Sequence, residues 1–290
     1  MSLNLFQHVK DAIAHLNPHE IREEVNRPLR VGLFANSEQA YRQMEAYFVP
    51  AAFSAERREQ VGQVLQRATG LGYDVEIFSE ELRPSRNGFT FYLNNPERTI
   101  NDVLRVHQPL AVSLARHIEP FQKPVTQQII RRISRENALF SLATAIPDVV
   151  PFISLPWAVG EFASDTAVLT ANQIRMAFML AAASDREVGY KEQKGEIATI
   201  LLGAFGWRAI ARELVGKIPF GGGLIPKAAV AYAGTRVAGL SMERYYRIGY
   251  HYTRAERKVA YQDALERGRS IAGYILNGWR RHQIAPTQIR

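Results

Sequence analysis

The chain changes character once, between Glu119 and Pro124, and that change limits what it can fold into more than any other feature. Ahead of it, the β-rich runs Leu29–Phe34, Gly72–Phe78 and Phe89–Leu93 alternate with helical stretches, as in an α/β unit. Behind it, apolar residues recur at helical spacing almost without interruption, and Gly and Pro punctuate long Ala-rich segments. The fold class is therefore α+β, with a small α/β N-terminal domain followed by a mainly α-helical C-terminal domain of long helices and a helical hairpin. Residues 1–28 read as an N-terminal amphipathic helix and linker, 29–118 as the small α/β domain (degenerate nucleotide-fold-like), and 119–290 as a basic helical domain.

Leu5, Val9, Ile13 and Leu16 fall close to helical spacing without the apolar run or cleavage site of a signal peptide, so an amphipathic helix is expected there. A polar segment, Glu20–Asn26, follows it. The strand Leu29–Phe34 leads through Ala35–Gln39 into a helix carrying Tyr41, Met44, Tyr47 and Phe48, for which Ser37 or Asn36 is the expected N-cap. Further helices are expected from Ser54 to Gly70, Arg98 to His107 and Leu110 to His117. In the second half they are expected over Val125–Ala145, Pro156–Ser184, Lys191–Ile218, Ile225–Leu240 and Ser241–Arg281. Pro147, Pro151 and Pro156 break the apolar stretch 139–160, and Ile197–Trp207 offers only 11 residues, short of the roughly 18 that a membrane span needs.

The absence of cysteine excludes disulfides, thiolate metal sites and thiol nucleophiles, and points to a reducing cytoplasm. The net charge of +8 lies in the second half: residues 151–290 hold 19 basic and 11 acidic residues, whereas residues 1–150 hold 17 of each. Such a bias suits an acidic partner, whether lipid headgroups, nucleic acid or a protein surface. The bland alternative is a solvated basic face.

No pattern in the chain motivates catalysis, a cofactor or a metal. The turn Gly32–Gln39 lacks the second Gly, the Lys and the Ser/Thr of a phosphate loop, and Glu38 would repel a phosphate there. The seven histidines show no metal-ligand spacing, and no GxSxG elbow occurs. Glu161 and Asp165 stand four apart on one helical face that continues through Leu169 and Asn172. We expect a buried polar cluster in which Arg175, Arg208 or Arg212 answers these carboxylates. An uncharacterised enzyme using the carboxylate pair is the alternative.

The most unusual segment is Lys217–Lys227, where three glycines (Gly221, Gly222, Gly223) lie between Pro219 with Phe220 and Leu224 with Ile225, and a lysine stands at either end. It reads as the tip of a helical hairpin, either dipping into an anionic membrane interface or packed within a bundle. The last expected helix interleaves Tyr245, Tyr246, Tyr250, Tyr252, Tyr261 and Tyr274 with Arg244, Arg247, Arg254, Arg257, Arg267 and Arg269. This mixture serves stacking on nucleic acid, membrane interfaces or plain helix packing. Without a nucleic-acid-binding motif, nucleic acid is the weakest of the three.

Residues 132–247 resemble the helical domain of unknown function of the YcjF-like family, found elsewhere attached behind small GTPase domains. The likeness rests on Glu136-Asn-Ala138, the Pro147 and Pro151 region, Asp165 with Leu169–Met176, Lys217-Ile-Pro219 with its glycines, and Ala233-Gly-Thr235 leading into Gly239. The resemblance implies a helical module working beside a GTPase, often at the inner membrane, with no settled activity. No GTPase motif set accompanies it. The function expected is a noncatalytic membrane-surface or protein-interaction module, cytoplasmic and peripheral at the inner face of the membrane. A soluble, self-associating scaffold is the alternative.

Overall fold

The computed structural model describes residues 16–70, 72–144, 165–201 and 224–284. The chain divides into two compact units, one of His19–Gln128 with Ala181–Val188 and one of Met1–Pro18, Ile129–Leu180 and Gly189–Arg290. The fold is α+β: a small parallel sheet in the N-terminal half and helices through the rest.

Four short strands, β1 (Val31–Phe34), β2 (Leu65–Arg67), β3 (Val75–Ser79) and β4 (Phe89–Phe91), form the sheet in the order β2-β1-β3-β4. Every pairing is parallel. The central pair is almost continuously apolar, as buried parallel strands are, with Val31 opposite Val75 and Leu33 opposite Ile77. Side chains alternate across a strand, so Phe34 and Phe78 share the other face and stack at 4.4 Å. On that face Tyr73 lies over Gly32, where a Cβ would come within 2.7 Å of the ring.

Helices α1 (Pro18–Val25), α2 (Glu38–Phe48), α3 (Ala55–Val64), α4 (Pro96–Val106) and α5 (Ala111–His117) complete this unit. Ser37 caps α2 by accepting from the Ala40 N–H at 3.1 Å, and Ser54 caps α3 by accepting from Arg57. Buried Phe48 packs against Phe91 and Phe121, with ring centres 5.7 and 6.4 Å away. Two expectations need correction here. The polar segment 20–26 is largely helical, because Pro18 suits a helix start and Val25 is buried beneath it. The helix from Ser54 stops at Val64, because Leu65–Arg67 pair with the free edge of β1.

Ala181–Val188 joins this unit through Asp185. Helix α7 (Asp165–Ala183), numbered after α6 (Gln122–Ala143), ends in a Schellman turn: Arg186 N–H donates to Ala181 O and Asp185 N–H to Ala182 O. Asp185 takes the left-handed position, at φ 54°, that glycine usually fills. Its carboxylate meets Arg57 at 2.7 Å and Arg116 at 3.5 Å, and Arg57 also donates to the carbonyls of Arg116 and His117 at the end of α5. Asp185→Ala, which keeps the backbone strain and loses both pairs, should cost about 2 kcal/mol, whereas Asp185→Gly, which relieves the strain, should cost about 1 kcal/mol less. Urea unfolding of the two variants checks the order. Equal losses would mean that the backbone carries no strain there.

The helical unit is built from the rest of α6 and α7, the helical residues 194–201, α8 (Leu224–Ile248) and α9 (Arg254–Ile284). Its described core mixes small side chains with larger ones. Ala138 and Leu142 of α6 meet Ala228 and Tyr232 of α8 and Ala272 of α9. Further along, Ala233 and Val237 meet Tyr261 and Ala264. Glycine lets α8 and α9 approach closely: a Cβ at Gly268 would fall 2.9 Å from the Ala229 backbone. At Gly239 it would fall 2.8 Å from Ile130.

The expected break between helices at Leu240 and Ser241 is not where the chain turns. The helix continues to Ile248 and stops at Gly249, which adopts φ 78°, and the next begins at Arg254. Thr253 and Glu256 form a reciprocal capping box, with the Thr253 N–H donating to Glu256 at 2.8 Å and the Glu256 N–H to Thr253 Oγ1 at 3.3 Å. Ser241, with the look of a helix start, instead accepts from the N–H of Tyr252 across the turn.

Candidate functional site

The loop after β1, where a nucleotide fold would hold phosphate, is closed by the chain's own charges. Glu38 in the first turn of α2 is bound by Arg42 at 3.1 Å and by Arg67 at 2.6 Å, and Arg67 lies over the Tyr41 ring. Hydrogen bonds from Arg42 and then Arg67 hold the Glu38 carboxyl below its ordinary range. The positive start of the helix thus already has its anion. A depression of about 560 Å³ runs along Glu38, Gln39, Arg42, Gln43 and Ala46, but all five residues belong to one helix and provide no opposing wall.

Of the expected polar cluster, the side chains of Asn172 and Arg175 are described, and both meet α6. Asn172 is fully buried on α7 and donates to Asn137 Oδ1 of α6 at 2.7 Å. Asn137 Nδ2 is shared between Thr235 Oγ1 of α8, at 2.8 Å, and the carbonyl of Leu169. Gln173 adds a second donor to Thr235, at 3.1 Å. Three helices are therefore joined by one uncharged network. Asn172 Oδ1 finds no hydrogen-bond partner among the described residues.

Arg175, one turn on from Asn172, pairs with Glu136 of α6, and Arg132 approaches the same carboxylate at 3.7 Å. Burial lowers the Arg175 pKa, an effect opposed by Glu136. Glu161, Arg208 and Arg212 lie outside the described residues, and Asp165 is placed by its backbone alone, as the first residue of α7. Sequence reasoning gave Glu136, Asn137, Gln173 and Thr235 no role in the cluster. Their signal was faint: Asn137 is one of many polar residues in α6 and Thr235 stands beside Arg236 in α8, and only the crossing of those helices brings them together.

Of the glycine-hinged segment, Lys217, Pro219, Phe220, Gly221, Gly222 and Gly223 lie outside the described residues. Leu224, Ile225 and Lys227 form the first turn of α8. Ile225 is 36% exposed, and the Lys227 ammonium donates to Thr144 Oγ1 at 3.2 Å.

The basic and aromatic residues of the last expected helix are sorted by the turn at Gly249–Thr253. Tyr246 and Tyr261 are buried as packing residues, and burial pushes the Tyr261 hydroxyl up to about 12. Tyr245, Ile248 and Tyr250 are exposed, at 37%, 45% and 73%, and Tyr245 stacks on His251 with ring centres 4.3 Å apart. Tyr252 lies under the Arg244 guanidinium. The acids of this region are engaged: Glu243 binds Arg247 at 3.1 Å and Glu256 binds Arg244 at 2.6 Å. Arg254, Arg257 and Lys258 are exposed and have no carboxylate partner among the described residues. They crowd the positive end of α9, an unfavourable place for cations unless an anion approaches.

Glu256 anchors the turn. Its hydrogen bond from Arg244, followed by those from Thr253, draws its carboxyl from 4.5 down to about 2. A lowered folded-state value means that the anchoring is complete above about pH 4.5 and is lost as the pH falls toward 2. A carboxyl NMR titration should therefore show Glu256 ionised through pH 3, and a midpoint near 4.5 would refute this pairing.

Among the described residues, no group of three His, Asp or Glu is placed to hold a metal ion, and no helix is long and apolar enough to cross a membrane. Compared with known proteins, the chain matches no family model, no curated protein and no solved structure.

Proposed function

We propose that the chain is a noncatalytic docking module whose basic helical part engages an acidic surface, at a membrane face or on a partner protein, working beside a GTPase in line with the resemblance noted above. The observation that carries this reading is the turn between α8 and α9. There the two acids are already paired, and three exposed cations stand next to exposed aromatic and aliphatic side chains. The α/β unit acts as scaffold in this reading, since Glu38, Arg42 and Arg67 satisfy one another where a phosphate would sit.

The test is direct. The purified full chain is offered phosphatidylserine vesicles, heparin and an immobilised acidic protein at about 50 mM salt, and again at about 300 mM. Binding to at least one of them, weakening as salt rises, is the expected result, because screening shortens the reach of exposed charges. A chain that binds none of them at the lower salt overturns the docking reading.

A further inference from the structure

We infer that the turn spanning Tyr245–Lys258 is itself a membrane-contact element that rests in the headgroup layer of an anionic bilayer. This rests on the docking reading above and names its surface and its partner. Tyr245, Ile248 and Tyr250 lie within six residues of one another at the apex of a helical hairpin, and all three are exposed. Isolated exposed apolar residues are ordinary, but a cluster at an apex is placed to meet something. Tyr250, at 73% exposure, presents an apolar ring ending in a hydroxyl, the side chain favoured where water meets acyl chains.

Charge chooses among the acidic surfaces. Arg254, Arg257 and Lys258 follow the apex directly and have long aliphatic stems, which lie along an apolar boundary while the charged ends reach phosphate. Nucleic acid would use the tyrosines for stacking and the cations for phosphate, yet it offers nothing for Ile248, which is 45% exposed. A bilayer interface accommodates all three kinds of side chain at once. The exposed apolar side chains of this turn are few and end in or border polar groups, so the contact proposed is peripheral and shallow.

The experiment is co-sedimentation of the full chain with vesicles of phosphatidylcholine, with and without about 30% phosphatidylserine. Wild type should pellet only with the anionic vesicles. Arg254→Gln with Lys258→Gln removes two cations and should weaken binding about thirtyfold, since each basic residue near an anionic surface is worth roughly fivefold. Ile248→Ser with Tyr250→Ser should weaken it about tenfold or more, even at saturating anionic lipid. These side chains are exposed, so an unchanged unfolding midpoint confirms that each variant is folded.

Vesicle binding that both double variants retain at wild-type strength rejects this turn as the contact while leaving the docking reading intact. Loss of binding in Phe220→Asp with Leu224→Asp alone would do the same and move the contact to the segment Lys217–Lys227. Binding to heparin or to the acidic protein without vesicle binding rejects the lipid partner. Binding to nothing rejects both readings.

Discussion

Gly268→Val should lower the stability of the helical unit by about 3 kcal/mol, the upper end of what forced overpacking costs. The reason lies in what the new side chain would meet. A Cβ on Gly268 falls 2.9 Å from both the Cα and the carbonyl oxygen of Ala229, and 3.1 Å from the Tyr232 Cβ. None of these atoms can swing aside as a flexible side-chain end would, so α8 and α9 must separate along the seam held by Ala228, Tyr232 and Ala272. Gly268→Ala should cost less, because alanine gains up to about 1 kcal/mol of helix propensity over glycine. Gly273, on the same helix with nothing within 4 Å of its would-be Cβ, provides the control. Gly273→Ala should stabilise by about 0.5–1 kcal/mol. Thermal unfolding of the three variants separates crowding from propensity, and a neutral Gly268→Val would show that the helices do not touch there.

Asn137→Ala should cost about 3 kcal/mol, the second large effect. Asn137 is fully buried and holds Asn172, Thr235 and the Leu169 carbonyl together. Its removal strands Asn172 Nδ2 in an apolar interior, which costs more than a hydrogen bond contributes, and leaves a small void. Replacing both amides should be milder than the sum of the parts. Asn137→Leu with Asn172→Leu removes donor and acceptor together, so a double-mutant cycle in urea should show the pair at least about 1 kcal/mol less costly than the two single leucine variants added. Strict additivity would mean that the two amides are not coupled.

Much of the architecture was legible from local pattern. The apolar run Val31-Gly-Leu-Phe34 with Ser37 behind it has one good solution, a buried strand entering a capped helix, and the structure adopts it. What local pattern could not supply was pairing. Leu65–Arg67 carries no strand signal of its own and extends because β1 has an open edge beside it. A new helix was expected to begin at Ser241, whereas Gly249 and the Thr253–Glu256 box are the signals of the break, and both are readable in the sequence. Of the polar cluster, the sequence pointed to Asn172 and Arg175 by their place on an apolar face. It could not point to Asn137 or Thr235, whose meaning arises only where α6, α7 and α8 cross.

The seam of alanine and glycine between α8 and α9 bears on how the hairpin would behave under load. Two backbones in contact leave few rotamers between them, and side-chain rearrangement is the usual way in which packed helices absorb a push. With Gly268 seated on Ala229 at one level and Ala264 near Ala233 and Val237 at another, the pair should act as a strut. Whatever seizes its apex then pulls on α6 and its amide bridge through stiff material, so that attachment at one extremity is felt as tension at the other.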